Sequence, residues 1–430
     1  MEQWIGLDFS SYSWRERILF RILILIALVY FFLHICNAWF IKPELKHQRD
    51  FATYYAASLA MQQDKPFHNQ GDWPMVQENP LANIKVFPEE EPPPLYLYVY
   101  PPFLAWLLIP LTKLDYTTAE RFWNYGNISV YLLTVFLFLR FLARKKWLSR
   151  FEIFLATLFA LLWSPAAFTI WGGQISLWIL FFLVLHILLF KKNRECASGV
   201  ALGLSILIKV SPLMFLGLWI LQRKWKLTAA CLFTIGMGIF LSGWQETMHF
   251  FSAIFPHMSL GENHPVNITL MGAFLTQAIG YPWAWLSEAQ YQSIFVPHTV
   301  IRLGLLLGWI TVYWGTWKQK TQAATWLHYS IIVISMLFLT PVARLYDFVY
   351  LYPALVWAYV EWKKDKTTWL LASTLFLITV FTLNLGEILH AIASGFISPN
   401  IIDKTNVFAV AWLWVCWLIR QKMSLYPKTK

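Results

Sequence analysis

The chain has 430 residues, of which 58% are hydrophobic and only 13% are charged, and its mean hydropathy is +0.51. This composition excludes a soluble globular domain and predicts a polytopic membrane protein, because apolar runs of about 17 to 25 residues recur along the sequence. The net charge of +11 does not indicate nucleic-acid binding, because most basic residues lie in short islands between the apolar runs.

The basic islands predict the orientation of the chain. They occur at 15–21, 140–150, 191–194, 223–226, 318–320, 363–366 and 420–430. By the positive-inside rule these islands face the cytoplasm, so both termini are cytoplasmic and the number of spans is even. The segments between the islands carry most of the acidic residues and are predicted to face outward.

The sequence therefore predicts an all-α bundle of about twelve transmembrane helices, forming one integral membrane domain over residues 1–430. The predicted spans are 18–40, 122–143, 152–168, 174–190, 197–209, 212–221, 227–243, 297–317, 324–341, 345–361, 367–384 and 405–419. The first span is too long for a signal peptide and lacks a small-residue cleavage site, so it is expected to be an anchor. Two large outer loops remain, 42–121 and 244–296.

The first outer loop is expected to lie against the membrane. One amphipathic helix is predicted over 51–61 and a second over 96–114, where tyrosines and a tryptophan alternate with prolines. Tyrosine and tryptophan are typical of headgroup depth, and making 96–114 a span would place the basic island 140–150 outside.

The segment 199–221 has basic islands on both sides, yet its length suits only one span. We expect two short half-helices, with Pro212 ending the helical hydrogen bonding and Lys209 near the outer end. Broken helices at membrane depth are tolerated where they line a cavity, so Lys209 is a candidate site residue.

Asp50 follows the first predicted span and lies at the start of the first outer loop. A carboxylate there can reach both a lipid-borne substrate and water, which makes it a candidate general base. Asp is also a favoured N-cap, so Asp50 could instead begin the helix at Phe51. Asp64 and Asp72 compete for the catalytic role but lie further from the span.

Several short motifs, taken in order, resemble glycosyltransferase family 87. They are Asp50-Phe51 with Tyr54-Tyr55-Ala56-Ala57, Tyr98-Val99-Tyr100-Pro101-Pro102, Pro110-Leu111, Gly172-Gly173-Gln174, the segment Gly199 to Pro212 with Ile208-Lys209, and Arg223-Lys224-Trp225. A weaker likeness continues through Asn267-Ile268-Thr269 and Leu339-Thr340-Pro341 to Asp347.

The resemblance implies a GT-C fold and an inverting sugar transfer on the extracytoplasmic face of a bacterial inner membrane. The donor would be a polyprenyl-phosphate-linked sugar, a hexose such as mannose or a pentose, and the acceptor an envelope glycolipid or glycan. The family uses no nucleotide sugar, needs no cofactor and has no obligatory metal. Asp50 matches the position of its general base.

Cations near a departing lipid phosphate stabilise the negative charge that develops there. Lys209 is the first candidate, although it could instead snorkel to the outer interface. Arg344 is the second, and it lies three residues before Asp347, so the two could also pair with each other.

Further residues could contact the sugar or the acceptor: Tyr54, Tyr55, Tyr100, Gln174, His264 and Asp347. Each has a plainer interpretation, since tyrosines at this depth commonly belong to the aromatic belt and Gln174 could satisfy the start of its helix. No metal site is predicted, because no ligand spacing typical of one occurs.

Two other functions remain open. A transporter or flippase of lipid-linked sugars also suits twelve spans and a broken helix, but no matching broken segment is found in the other half. An oligosaccharide polymerase or ligase would predict arginines in a large outer loop, and 244–296 contains neither Lys nor Arg.

Overall fold

The computed structural model describes residues 49–68, 80–86, 95–258, 288–317, 324–340 and 342–365, with isolated positions in 18–29 and 269–275. Every regular element within these ranges is helical. The α-helices are α1 Arg49–Gln62, α2 Pro102–Leu108, α3 Tyr116–Arg144, α4 Arg150–Leu161, α5 Ser164–Trp171, α6 Ser176–Lys191, α7 Glu195–Ile208, α8 Leu213–Leu221, α9 Trp225–Ser242, α10 Trp244–His249, α11 Phe255–Met258, α12 Glu288–Trp317, α13 Ala324–Leu339 and α14 Leu351–Asp365. Short 3-10 helices cover Pro80–Asn83, Ile109–Lys113 and Leu345–Tyr350, and a π-helix covers Phe250–Ile254.

Four helices in the described ranges are long and apolar enough to cross a membrane. They are Tyr116–Arg144, Arg150–Trp171, Trp225–Ser242 and Ser293–Ile310. Shorter apolar helices cover Pro102–Lys113, Ser176–Lys191, Glu195–Ile208 and His328–Leu337. The chain is therefore an all-helical membrane protein in the part described. Of the predicted spans, 367–384 and 405–419 and nearly all of 18–40 lie outside the described residues, so the count of twelve stays a prediction.

The start of the first long span is set by local capping. The Asp115 side chain accepts a hydrogen bond from the Thr118 amide at 3.0 Å, so α3 begins at Tyr116. A capping box between Ser149 and Glu152 likewise begins α4. Both devices satisfy backbone amides that a helix start leaves without partners.

The predicted break in the segment 199–221 is confirmed. Helix α7 ends at Ile208, Lys209 is extended with φ −149° and ψ 133°, and α8 begins at Leu213. Because an extended residue interrupts the helical hydrogen bonding, α7 and α8 are separate half-helices.

A buried histidine joins the two half-helices to α6. The Ser198 carbonyl lies 2.9 Å from His186 Nδ1, and Trp219 Nε1 donates to His186 Nε2 at 2.9 Å. The indole donor makes Nε2 the acceptor, so Nδ1 carries the hydrogen and donates to the carbonyl. One side chain thus holds α6, α7 and α8 together.

Helix α1 was predicted over 51–61 and is found over Arg49–Gln62, but its packing differs from a one-sided amphipathic helix. Positions 51–58 are all buried. Phe51 stacks on Trp123 with ring centroids 5.4 Å apart, and Tyr55 meets Tyr116 edge to face at 5.6 Å. The helix is enclosed by protein, which fixes the residues of its first turn.

The second predicted helix of the first loop, 96–114, is shorter than expected. Residues 95–99 have no regular structure, the α-helix covers Pro102–Leu108, and a 3-10 turn follows at Ile109–Lys113. Pro102 stands at the first helical position, where its missing amide hydrogen costs nothing, so the proline delays the helix to that point. The irregular stretch brings Tyr100 beside α1, where its ring meets the Tyr54 ring edge to face with centroids 5.0 Å apart.

Candidate active site

Asp50 lies in the first turn of α1, beside the turn that joins α5 to α6. A Cβ atom added to Gly172 would lie 3.4 Å from Asp50 Oδ2, so the backbone of this turn passes against the carboxylate. Gly173 has φ +68°, a backbone conformation that residues other than glycine rarely adopt. Its carbonyl accepts from Trp123 Nε1 at 2.8 Å, which fixes the turn. The Gly172-Gly173 pair therefore lets a tight turn approach Asp50.

The environment of Asp50 changes the pKa of its carboxyl group. The residue keeps part of its surface accessible, yet burial raises its pKa to about 6. Three neighbours oppose this rise, namely the charge of Arg344, the side-chain amide of Gln174 and the charge of Lys209. A carboxylate with a pKa near 6 is ionised at neutral pH and is a stronger base than an ordinary aspartate.

Two tyrosines fix the amide of Gln174. The Tyr54 hydroxyl donates to Gln174 Oε1 at 2.9 Å and the Tyr100 hydroxyl donates to the same oxygen at 3.1 Å. Burial raises the pKa of both tyrosines, so they remain protonated donors. With both hydroxyls donating to Oε1, the amide nitrogen Nε2 lies at the opposite side of the amide.

The other end of the amide faces Asp50. Gln174 is fully buried, and its Nε2 has no hydrogen bond of good geometry to any described residue. It nevertheless lies close enough to the Asp50 carboxylate to lower that pKa. Nε2 thus has donor capacity beside Asp50 that the protein itself does not fully use.

Lys209 and Asp347 form an ion pair across the site. Lys209 Nζ donates to Asp347 Oδ1 at 2.6 Å, and the Ser176 hydroxyl donates to the same oxygen at 2.9 Å. The Arg344 amide donates to Asp347 Oδ2 at 3.3 Å. Asp347 is buried, whereas the Lys209 side chain keeps 22% of its surface. The Lys209 side chain is therefore fixed by the carboxylate but only partly covered by protein.

Arg344 and Lys209 both contact Asp347. The Arg344 backbone amide donates to Asp347 Oδ2, and the Lys209 side chain donates to Asp347 Oδ1. Arg344 has the largest of the three opposing effects on the pKa of Asp50, ahead of Lys209. Two cations and two carboxylates consequently share one site, with Arg344 acting more strongly on Asp50.

Seven of the nine predicted site residues are brought together: Asp50, Tyr54, Tyr100, Gln174, Lys209, Arg344 and Asp347. Tyr55 points elsewhere, because its hydroxyl donates to the Leu114 carbonyl at 2.7 Å. His264 lies outside the described residues.

Three residues that the sequence analysis did not single out complete the site. Ser176 holds Asp347, the Tyr350 hydroxyl donates to the same carboxylate at 3.3 Å, and the Tyr346 ring lies 5.7 Å from Lys209 Nζ. Their only sequence signal is proximity, since Ser176 follows Gln174 by two residues and the tyrosines flank Asp347.

Within the described residues, no three His, Cys, Asp or Glu side chains are grouped to hold a metal ion. The site as described offers a base, hydrogen-bond donors and cations. The expectation of a reaction without metal or cofactor stays a prediction.

Comparison with known proteins identifies the family of the chain. The family described as glycosyltransferase family 87 matches residues 98–341, which is more than half of the 430 residues. Tyr100, Gln174 and Lys209 lie within the match, whereas Asp50 and Arg344 lie outside it. A search of curated proteins gives no match. The chain therefore belongs to glycosyltransferase family 87 and is a membrane glycosyltransferase.

Proposed function

We propose that the protein transfers a sugar from a polyprenyl-phosphate-linked donor to an envelope glycolipid or glycan, with inversion at the anomeric carbon. The sugar is a hexose such as mannose, or a pentose. The observation that carries this proposal is the meeting of a base of raised pKa, Asp50, with the cations Arg344 and Lys209. Lipid-phosphate donors need both groups, a base for the acceptor and positive charge for the leaving phosphate.

In the proposed reaction the acceptor hydroxyl attacks the anomeric carbon as its proton passes to Asp50. The bond between that carbon and the phosphate oxygen breaks with the electron pair remaining on oxygen, so polyprenyl phosphate departs as an anion. Arg344 and Lys209 stabilise this charge. General base catalysis of this kind contributes about 10²- to 10⁴-fold to a rate.

The remaining predicted residues are assigned to substrate positioning. Tyr54 and Tyr100 hold Gln174, and Gln174 Nε2 is placed to donate to a sugar or acceptor hydroxyl. Asp347 holds the Lys209 ammonium. His264 and Tyr55 keep their proposed role as substrate contacts, although the Tyr55 hydroxyl is already bonded to the Leu114 carbonyl.

We further propose that the protein lies in a bacterial inner membrane, with both termini cytoplasmic and the active site extracytoplasmic. The test uses a cysteine-free background, with single cysteines placed at the exposed Lys65 and Lys145. A membrane-impermeant thiol reagent should label position 65 in intact spheroplasts and position 145 only after permeabilisation. Labelling of both positions from one side would overturn this orientation.

The donor class is tested with the purified protein in detergent and a panel of labelled donors. Polyprenyl-phosphate mannose and polyprenyl-phosphate arabinose are compared with the corresponding nucleotide sugars, using extracted envelope lipids as acceptors. We expect product only from a lipid-linked donor. Product from a nucleotide sugar alone would contradict the proposal.

A flippase of lipid-linked sugars remains a second candidate, because the extended Lys209 between α7 and α8 is a feature that transporters share. Proteoliposomes distinguish the two functions. A flippase moves the donor across the bilayer without consuming it, whereas a transferase converts it to polyprenyl phosphate and a glycosylated acceptor.

A further inference from the structure

His68 is a fully buried histidine that the proposed reaction does not use. Its Nε2 lies 2.9 Å from the backbone carbonyl of Tyr100. A carbonyl only accepts hydrogen bonds, so Nε2 must carry the hydrogen of this contact. This assignment leaves Nδ1 as the ring nitrogen that can make a second contact.

The second ring nitrogen of His68 faces a carboxylate from the other predicted outer loop. His68 Nδ1 lies 3.7 Å from Glu246 Oε2, and Glu246 belongs to α10, just after the span Trp225–Ser242. Neither atom has a hydrogen-bond partner among the residues that the structure describes. The separation is an ion-pair distance, longer than a hydrogen bond.

The hydrogen of Nε2 is committed to the Tyr100 carbonyl, so Nδ1 is the ring atom that faces the Glu246 carboxylate. The interaction with His68 lowers the pKa of Glu246, and the nearby charge of His249 lowers it further. Glu246 is therefore an ionised partner at neutral pH.

The contact continues to the proposed base. His68 holds the Tyr100 carbonyl, the Tyr100 hydroxyl donates to Gln174 Oε1, and Gln174 lowers the pKa of Asp50. Tyr98 packs against the same histidine ring, with centroids 5.2 Å apart. A displacement of His68 would thus be transmitted through the backbone of Tyr100 to the amide beside Asp50.

We propose that His68 and Glu246 are positioning residues that form a clasp between the two predicted outer loops and hold Tyr100 and Gln174 against Asp50. The effect on catalysis rests on the proposed function of Asp50, whereas the clasp itself rests on the contacts alone. The clasp requires a hydrogen-bond donor to the Tyr100 carbonyl at position 68 and a carboxylate beside it at position 246.

The test compares Glu246→Gln, His68→Gln and the double variant with Gln245→Ala, an exposed neighbour on the same helix, as the matched control. Glu246→Gln keeps the shape of the side chain and removes its charge. We expect kcat to fall about 5- to 10-fold, with the KM for the lipid-linked donor changed less than about 2-fold, because substrate contacts remain. The double variant should lose no more than the worse single variant.

A pH profile separates positioning from mere structural support. If the clasp holds Gln174 beside Asp50, its loss displaces the amide that lowers the pKa of Asp50. The acidic limb of kcat/KM should then move to higher pH in Glu246→Gln and His68→Gln, but not in Gln245→Ala. An unchanged limb together with a wild-type kcat would overturn the positioning role.

The clasp can also be tested without measuring catalysis. Apparent unfolding temperatures of wild type, Glu246→Gln, His68→Gln and the double variant form a double-mutant cycle, in which coupled residues give non-additive losses. Additive losses would overturn the clasp. If wild-type protein transfers no sugar while the cycle shows coupling, the proposed function fails and the clasp stands. If His68→Gln does not fold, the isosteric Glu246→Gln carries the kinetic test.

Discussion

Lys209 Nζ lies 2.6 Å from Asp347 Oδ1, and this ion pair connects the break between α7 and α8 to the 3-10 helix Leu345–Tyr350. The pair joins residues 138 positions apart in the sequence. It fixes a lysine that would otherwise be free to extend toward the interface. The cation is thereby held near Asp50 rather than dispersed in solvent.

The first prediction concerns removal of the anion from this pair. Asp347→Asn should destabilise the protein by about 2 kcal/mol, less than the ~3–5 kcal/mol of a fully buried pair, because Lys209 keeps partial access to solvent. The apparent unfolding temperature in detergent measures the loss. The double variant Asp347→Asn with Lys209→Met should recover part of it, since no uncompensated charge remains. A double variant less stable than Asp347→Asn would contradict this interpretation.

The second prediction concerns Lys209 as a phosphate-binding group. Lys209→Ala should raise the KM for the lipid-linked donor by about 10-fold or more, with a smaller change in the KM for the acceptor, as expected for loss of a charged contact. Initial-rate kinetics with each substrate varied in turn measure the two constants. Equal changes in both constants would assign Lys209 to structure alone.

The third prediction concerns the stability cost of Asp50. Burial raises the pKa of Asp50 from 3.8 to about 6, so the folded protein binds its proton more tightly than the unfolded chain does. Stability therefore falls as the pH rises from about 4 to 6, and the ionised carboxylate destabilises the fold above that range.

Replacing Asp50 by Asn should remove this cost. At pH 8 the variant is expected to be more stable than wild type by about 1–2 kcal/mol, a value reduced because the carboxylate is partly exposed. At pH 5 the difference should be smaller. Thermal unfolding at the two pH values measures it, and a variant that is less stable at pH 8 than wild type would contradict the assignment.

The fourth prediction concerns the orientation of the Gln174 amide. Tyr54→Phe or Tyr100→Phe removes one of two donors to Oε1 and should lower kcat by only about 2- to 5-fold, since one hydrogen bond is worth about 1 kcal/mol. The double variant leaves Oε1 without a donor and releases the amide to rotate. In the double variant, the acidic limb of the pH profile of kcat/KM should move to higher pH, and it should move further than in either single variant. Acidic limbs of kcat/KM that are identical in all three variants would exclude a role for the two tyrosines in orienting the amide.

The fifth prediction concerns the contact between α7 and α9. A Cβ atom at Gly199 would lie 2.3 Å from the Leu227 carbonyl oxygen, a backbone atom that cannot rotate away. Gly199→Ala should therefore destabilise the protein by about 1–3 kcal/mol through overpacking. Gly236 has no atom within 4 Å of such a Cβ, so Gly236→Ala is the control and should be neutral or stabilising, as alanine favours helices. Comparable unfolding temperatures for the two variants would contradict the close contact.

Local features of the sequence predicted local features of the structure. Pro212 and a charged residue in an apolar segment indicated the break at Lys209, and the run Phe51–Met61 indicated α1, which is found over Arg49–Gln62. Both predictions depend on neighbours within a few residues, where backbone hydrogen bonding and side-chain polarity decide the outcome. The family resemblance, drawn from motifs along the chain, is confirmed by the match over 98–341.

Long-range pairing could not be predicted in the same way. The spacing of Arg344 and Asp347 indicated a local pair, but it gave no sign that Lys209, 138 positions away in the sequence, also reaches Asp347. The alignment of Tyr54 with Gln174, 120 residues apart, likewise depends on how α1 is enclosed. No periodic pattern in the sequence marks either contact. The enclosure of α1 also removed the one-sided exposure that an amphipathic helix implies.

The most direct measurement is single-turnover transfer from a labelled polyprenyl-phosphate sugar, comparing wild-type protein with Asp50→Asn. Single turnover isolates the chemical step, and folding of the variant is verified by its unfolding temperature. We expect wild type to form a glycosylated acceptor of inverted anomeric configuration, with a rate that rises through about pH 6, and Asp50→Asn to be slower by at least about 10²-fold. A folded Asp50→Asn protein that transfers sugar at the wild-type rate would contradict the assignment of Asp50 as the general base.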